Sequence, residues 1–463
     1  MQCQPRLALD IDILGMAFFY ITRDIERAAG FLGIRNDYYV ITYPSPLAEA
    51  IKHKFSKQII LINQVTSNKK QVTKLRVRST LALIRSEYVQ EKVHELPDKE
   101  QPNILVFKNS HQIEEECEKL NWKLLNPSAE LSGKIENKIS QYSWLREEKS
   151  ASLEVLTPIS IIGEVGQFEY EDLMRQFGKD FIMQYNIGHT GSGTKRIINE
   201  QLWKNEVVRF PKRIVKISEY IKGRMYTINA CVIGDNNVVC GGTSEQITGL
   251  KELTGNQLAT VGNDWNSVSE ETHNKVKKIA VEIGKYMMQN GWRGLFGIDV
   301  IIDAAADRAY LIEINARQPA SVSLESQLQN ENDEINIMEW HVNTLCGNNA
   351  PQPPLILRGR DWRVTGSQLF FRNIENHPVS LQNEFLPGRY KADKQGHEFI
   401  EKATSVAETQ KGEIFAFSVS QNEKVKPGGE LLRIQSKQGI VDTFGKNYLD
   451  VMRSIRKEIQ IEI

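Results

Sequence analysis

Between Ala309 and Arg317 the chain alternates apolar and polar positions, with Ile312 and Ile314 set among Glu313, Asn315 and Arg317. Successive side chains of a strand point to opposite faces. The pattern predicts a strand that turns its isoleucines to a core and its carboxylate, amide and guanidinium to the other side. Strands that simply face water alternate in the same way, so what lies opposite decides. The preceding run 295–303, LFGIDVIID, alternates as well, with Asp299 on one face and Ile298 and Val300 on the other. AAADR at 304–308 has the length of a hairpin loop. Symmetric closure would pair Asp303 with Ala309 and set Asp299 directly opposite Glu313.

Longer periods appear elsewhere. Apolar residues at Val276, Ile279, Val281, Ile283, Tyr286 and Met287 predict a long helix over 269–290. AELSGKIENKISQYSWLRE, at 129–147, is read as one helix. VFKNS (106–110) reads as a strand end and turn, followed by an amphipathic helix in HQIEEECEKLN (111–121). That order predicts an α/β unit over residues 1–128. Residues 224–234, RMYTINACVIG, read as a strand ending at a GDN turn. After about residue 348, PQPP (351–354), short strand-like runs and PGGE (427–430) mark a separate β-rich α+β region.

Composition narrows the class. The chain has 463 residues, enough for two to four domains. Lys+Arg and Asp+Glu are both 58, so no global basic excess points to nucleic acid. The five cysteines are widely spaced and form no CxxC, which fits a reducing compartment. The apolar run Ile13–Ile21 is too short to span a bilayer and reads as a buried first strand, giving a soluble, cytoplasmic protein with no membrane partner. The α/β unit contains no GxGxxG, so dinucleotide binding is not supported.

Directly opposed residues of an antiparallel pair have Cβ atoms about 4.5–5.5 Å apart, and like charges there destabilise the pair. A cation between Asp299 and Glu313 would remove the problem. Mg²⁺ is held by one or two carboxylates plus substrate phosphates, and Asn315 adds a neutral oxygen on the same face. Arg317 is suited to fork onto a phosphate or carboxylate. A surface hairpin with unrelated charges is the competing account. The full set on one face of one hairpin favours a metal–phosphate site. Upstream, FIMQYNIGHTGSGT (181–194) runs from a strand into a loop with Gly188, Gly191 and Gly193 among His189, Thr190, Ser192 and Thr194. Such a loop can turn backbone N–H groups and hydroxyls toward an anion. Many hairpin tips look alike, and no GK[ST] follows. VKISEYIKGRMYTI (215–228) reads as a hinge strand in which the Glu219 carbonyl and the Ile221 N–H suit an adenine; an ordinary strand–turn–strand reads the same.

Taken in order, Lys138 in ENK, GHTGSGT, SEYIKG, GIDVIID and LIEINAR resemble the ATP-grasp superfamily, and its biotin-carboxylase-like branch most, over about residues 100–347. The resemblance implies α/β and α+β architecture: a pre-ATP-grasp domain over 1–128, an ATP-grasp domain over 129–347 with a mobile lid lobe at about 155–222, and a carboxylase-like C-terminal region over 348–463. It implies Lys138, Gln184 and the loop Gly188–Thr194 against ATP phosphates, and Ser218, Glu219, Tyr220 and Ile221 around the purine. It further implies Asp299, Glu313 and Asn315 as ligands of Mg²⁺ (or Mn²⁺), and Arg317 as the residue that steadies an acyl phosphate. His189, inside the loop, is counted with the ATP contacts.

The sequence also departs from the family. Gln184 stands where a lysine is usual, Met225 where many relatives place a ribose-binding Glu, and Ser321 where biotin carboxylases keep a base. Ser321 weighs against biotin carboxylation, although PGGELLRI (427–434) looks like the carboxylase C-terminal domain. The implied activity is an ATP-dependent carboxylate–amine ligase that works through an acyl phosphate. The alternatives are a bicarbonate-type carboxylase or a degenerate nucleotide-binding regulator. The implied partners are small carboxylate and amine substrates, amino acids or short peptides, with a homodimer left open. Glu245, Gln246 and Arg293 are the residues singled out for substrate, and surface or capping roles compete for each.

Overall fold

The computed structural model describes residues 17–62, 78–95, 101–147, 153–186, 193–234, 236–331, 335–346, 363–393, 396–421, 423–459 and 461–462. The chain opens with a parallel sheet of β1 (Phe18–Ile21), β2 (Tyr38–Thr42), β3 (Ile59–Leu61), β4 (Asn103–Val106) and β5 (Lys123–Leu124), in the order β3-β2-β1-β4-β5. Its central strands are apolar at nearly every position, as a parallel sheet covered on both faces requires. One face packs in a cluster with Phe18, Val40 and Leu105, the other in a cluster with Ile41, Ile104 and Val106.

The run expected as one helix over 129–147 is two, Ala129–Glu136 and Lys138–Trp144. Asn137 lies between them in extended backbone, with ψ of 128°. A single residue leaving the helical region ends the hydrogen-bond ladder, and Lys138 opens the second helix. Helix-compatible composition on both sides hides such a break. The second helix is pinned by Trp144, whose ring lies 4.4 Å from that of Tyr286.

A small antiparallel sheet follows, made of β6 (Ser160–Glu164), β7 (Phe181–Tyr185), β8 (Thr194–Ile197) and β9 (Ile214–Glu219) in the order β6-β9-β7-β8. It has its own core: Phe181, Met183, Tyr185, Val215 and Ile217 face Leu173, Phe177 and Trp203. Strand alternation then sends Ile182, Gln184, Lys216 and Ser218 to the opposite face.

The largest sheet has ten strands. Its first half is β10 (Gly223–Gly234), β11 (Asn237–Thr248), β12 (Thr260–Asp264), β13 (Gly294–Asp303) and β14 (Ala309–Asn315). The chain after residue 348 supplies β15 (Ser367–Arg372), β17 (Gly388–Asp393), β18 (Gly396–Lys402), β19 (Ile414–Ser418) and β20 (Glu430–Ser436). Two short strands, β16 (Ser380–Leu381) and β21 (Ile461–Glu462), pair beside it. The order is β14-β13-β10-β11-β12-β15-β20-β19-β17-β18, and β15 joins by pairing with β12. The helix Glu270–Gln289 buries Val276, Ile279, Ile283, Tyr286 and Met287 against β10 and β13; Val281, also expected on the apolar stripe, is only partly buried. PQPP lies outside the described residues. PGGE is a turn into β20, with Gly428 at φ +74°.

The short 3-10 helix Ile25–Phe31 that follows β1 is tied to the C-terminal strands by a buried ion pair. Arg433 on β20 meets Glu26 at 2.6 Å, and both side chains are about 3% exposed or less. No helix among the described residues is long and apolar enough to cross a membrane.

Candidate active site

The β13–β14 hairpin carries the central geometry, and its register differs in detail from the symmetric closure. Ala309 pairs with Ile302, not Asp303, yet Asp299 still faces Glu313 and Gly297 faces Asn315. The two halves differ by one residue because a bulge falls between Asp299 and Val300 on one strand and takes in Ile312 on the other. A bulge places two residues against one and breaks the alternation there. Leu311 and Ile314 therefore point into the core, while Ile312, expected in the core, lines the cavity beside Glu313. Without the bulge the one-residue offset of the turn would have carried both acids out of opposition.

Between this hairpin and the four-stranded sheet lies a cavity of about 740 Å³, within the usual size of a small-molecule site. Asp299 stands on its floor and accepts a 2.6 Å hydrogen bond from Gln246 Nε2. Gln246 is held in turn by Thr260, which donates to its Oε1 at 2.9 Å. Burial, reinforced by the charge of Glu313, raises the Asp299 carboxyl, although Thr227, Arg317 and Lys138 act against the shift. Lys138 Nζ reaches Glu313 Oε1 at 3.3 Å. Arg317 Nη2 donates to Asn315 Oδ1 at 2.9 Å, and its Nε lies 3.1 Å from Glu136 Oε1. Burial works to raise the Glu136 carboxyl, but Arg317 and Lys108 outweigh it and hold it below the usual range. Glu136 thus fixes the guanidinium in the cavity wall.

A close contact shapes the same wall. A Cβ at Gly297 would lie 2.7 Å from Pro319 Cγ and 3.4 Å from Asn229 Oδ1. Only glycine lets the segment after Arg317 fold back onto β13 there, which brings Ser321 to the cavity. Ser321 accepts from Asn229 Nδ2 at 2.9 Å, and that amide also donates to Glu325 at 2.6 Å.

The opposite wall comes from the small sheet. Gln184, Thr194, Ser218, Glu219, Tyr220 and Ile221 line it. Gln184 Nε2 donates to Thr194 Oγ1 at 3.3 Å. The Glu219 side chain accepts from Ile159 N at 2.7 Å, and the Arg196 guanidinium lies 3.9 Å over the Tyr220 ring. Gly193 and Thr194 are described, and Thr194 opens β8; Gly188, His189, Thr190, Gly191 and Ser192 lie outside the described residues.

Two residues expected at the substrate site lie elsewhere. Glu245 occupies the face of β11 opposite to Gln246 and approaches Arg224 at 3.6 Å; adjacent residues of a strand cannot both face the cavity. Arg293 is exposed, outside the cavity, and donates to the carbonyl of its neighbour Trp292 at 2.8 Å. Met225 does line the cavity, so an apolar side chain stands where a ribose partner was sought.

Other wall residues were not anticipated. Thr227 carries no motif, and Glu136, within the ENK stretch, acts from behind the wall through Arg317. Arg372 and Phe370, on β15, bring the C-terminal strands to the cavity; only the pairing of β12 with β15 decides this. Lys216 had a legible signal, a single lysine between Val215 and Ile217 in an apolar strand. It is 7% exposed, lines the cavity and is the cross-strand partner of Gln184.

Two acids and an amide on the floor, with lysines and an arginine above and beside them, form a site for a polyanion accompanied by a cation. Comparison with known proteins gives the class. Residues 135–321 match a family model described as an ATP-grasp domain, so this part of the chain is an ATP-grasp domain. The fold agrees with that of solved ATP-grasp structures at low identity. The biotin carboxylase domain of Hydrogenobacter thermophilus 2-oxoglutarate carboxylase, solved with MgADP and bicarbonate, aligns with TM-score 0.61 and 13% identity over 97% of this chain and 91% of its own. Biotin carboxylase from Campylobacter jejuni aligns with TM-score 0.64 and 14% identity over 97% and 92%. Phosphoribosylamine–glycine ligase from Thermotoga maritima aligns with TM-score 0.55 and 13% identity over 96% and 97%. No curated protein matches the sequence.

Proposed function

We propose that the protein is an ATP-dependent, ADP-forming ligase that joins a carboxylate to an amine through an acyl phosphate. The observation that carries this reading is the opposition of Asp299 and Glu313 across one hairpin, with Asn315, Arg317 and Lys138 on the same cavity. Among the described residues no group of three acidic, His or Cys side chains is placed to enclose a metal. Two carboxylates and an amide oxygen instead fit Mg²⁺ (or Mn²⁺), which leaves most of its coordination to phosphate and water. When bound, the ion would neutralise charge on the phosphates.

In this reading the Glu219 carbonyl and Ile221 N–H take the adenine, and the loop 188–194 closes over the phosphates as part of a lid at 155–222. Residues 1–128 form a preceding domain and 348–463 a third unit that adds Phe370 and Arg372 to the cavity. A substrate carboxylate oxygen attacks the γ-phosphorus in line, and the bond to the β,γ-bridging oxygen breaks to release ADP. Arg317, held by Glu136 and Asn315, stabilises the acyl phosphate. The amine then adds to the carbonyl carbon, phosphate leaves and the amine proton passes to solvent. Positioning and electrostatics supply most of the acceleration, as in other phosphoryl transfers. Gln246 keeps Asp299 oriented and stands where the substrate enters. Amino acids or short peptides are the proposed substrates, and the cytoplasm the proposed location.

A carboxylase is the less supported reading, because Ser321 offers a hydroxyl where that chemistry needs a base. The buried acid one turn on, Glu325, is committed to Asn229 and the Gly242 N–H. The test is a screen of amino-acid pairs for phosphate release with MgATP. Release that requires an amino acid, but neither bicarbonate nor biotin, supports the ligase. Bicarbonate-dependent release supports the carboxylase, and nucleotide binding without release under any pair supports a regulator.

A further inference from the structure

Lys216 is a buried cation that the ligase reading has not used. β9 alternates so that Val215 and Ile217 enter the core of the small sheet while Lys216 and Ser218 face the cavity. Among the described residues its ammonium has neither a hydrogen-bond nor an ion-pair partner. The charged groups around it are Arg146 and Lys138, which repel it, and Glu313, whose Oε1 is shared with Lys138. Burial first, then those two cations, pushes the ammonium down to about 8. A chain that holds an ammonium 7% exposed, next to another lysine and without its own counter-ion, bears a standing cost. A ligand with more negative charge than Glu313 supplies would remove that cost.

The neighbour across the ladder sharpens the point. Gln184 on β7 and Lys216 on β9 are direct cross-strand partners and both line the cavity. Side chains so paired are about 5 Å apart at Cβ. A lysine's four-carbon stem spans that distance, so a cation on either strand reaches the same volume. Gln184 brings an amide that already donates to Thr194. Lys195 and Arg196 of β8 also line this wall but are paired with Glu206 and Asp180, so the unpaired cation beside Gln184 comes from the adjacent strand.

We infer that Lys216 is a direct ligand of the nucleotide's phosphate oxygens, supplying from β9 the cation that the Gln184 position lacks. The inference rests on the nucleotide reading of the cavity. The test measures MgADP and MgATP affinity by calorimetry for the full chain, Lys216→Gln, and the exchange Gln184→Lys/Lys216→Gln. Loss of one charge-assisted contact predicts affinity weaker by about 10- to 100-fold in Lys216→Gln. The melting temperature should be unchanged or higher, because an uncompensated buried charge has gone. The exchange should regain most of the affinity, since the ammonium returns to the same volume from the other strand. A merely structural lysine would lower the melting temperature and would not be rescued by the exchange. Wild-type affinity in Lys216→Gln, or a folded exchange variant no tighter than Lys216→Gln, overturns the assignment alone. Absence of MgATP and MgADP binding by the unaltered protein overturns the nucleotide reading and this assignment with it.

Discussion

The two walls of the cavity carry opposite electrostatic imbalances. On the floor, Asp299 faces Glu313 and its carboxyl is pushed up, because burial and a like charge both favour its neutral form. On the opposite wall, Lys216 is pushed down to about 8 by burial and by neighbouring cations. Each wall carries charge that its own sheet does not balance. The supports differ as well: the floor is part of a ten-stranded sheet backed by a long helix, whereas the other wall rests on a four-stranded sheet with a small core. The contrast teaches that the complementarity is directed at a third party. A polyanion accompanied by a cation satisfies both walls at once, and it bridges a broad sheet to a smaller one.

Breaking the floor should have the largest consequence. Glu313→Gln is expected to lower turnover by about 10³-fold or more, read as phosphate release, because charge stabilisation in the transition state is lost. Full activity in this variant would remove Glu313 from the site. Arg317→Met should follow, with a loss of about 10²- to 10³-fold in kcat. Arg317→Lys should recover little of it, because the fork that spans Glu136 and Asn315 is gone. Recovery to near wild type by the lysine would show that only a point charge is needed.

The other wall can be weakened through its core. Phe181 is fully buried and packs edge-on against Trp203 at 5.9 Å. Phe181→Ala should cost about 3–5 kcal/mol. Hydrogen exchange should show the loss in β6–β9 first, with β10–β14 retaining protection. Equal deprotection of both sheets would mean that the small core is no separate source of stability.

The smallest effect is a pH slope beneath the floor. Glu325 is buried where a Cβ on Gly241 would meet its Oε1 at 2.0 Å. Burial raises its carboxyl to about 7, while Asn229 and the Gly242 N–H act in the other direction. Its folded value lies above the unfolded one, so its contribution is full below about 4.3 and is lost as pH rises through about 7. Relative to Glu325→Gln, the wild type should lose on the order of 2–3 kcal/mol of unfolding free energy between about pH 4.5 and 7.5. Urea titrations at the two ends of that range would measure it, and parallel behaviour of the two proteins would place the charged form in a solvated site.

The β13–β14 hairpin was legible in the sequence because it rests on local order, whereas the ATP-grasp fold was legible only through the resemblance of an ordered set of motifs to a known family. Strand period, a short loop and residue type suffice to put Asp299 near Glu313. The break at Asn137 was not legible, because one extended residue leaves no mark among residues that all tolerate helix. The bulge at Ile312 was not legible either, since the turn's offset and its correction cancel at the two acids and show only in which apolar residue faces the cavity. Glu245 and Arg293 drew attention by chemistry alone, and strand alternation and exposure placed them elsewhere.

By itself, the sequence determined which side chains could share one face of one strand, because that is set by a two-residue period. Tertiary structure alone decided which strands share a cavity. Lys216 met Gln184 through the pairing of β7 with β9, and Arg372 reached the site because β15 joined β12. Those contacts join residues far apart in the chain, and no local preference encodes the partner that a strand edge will find.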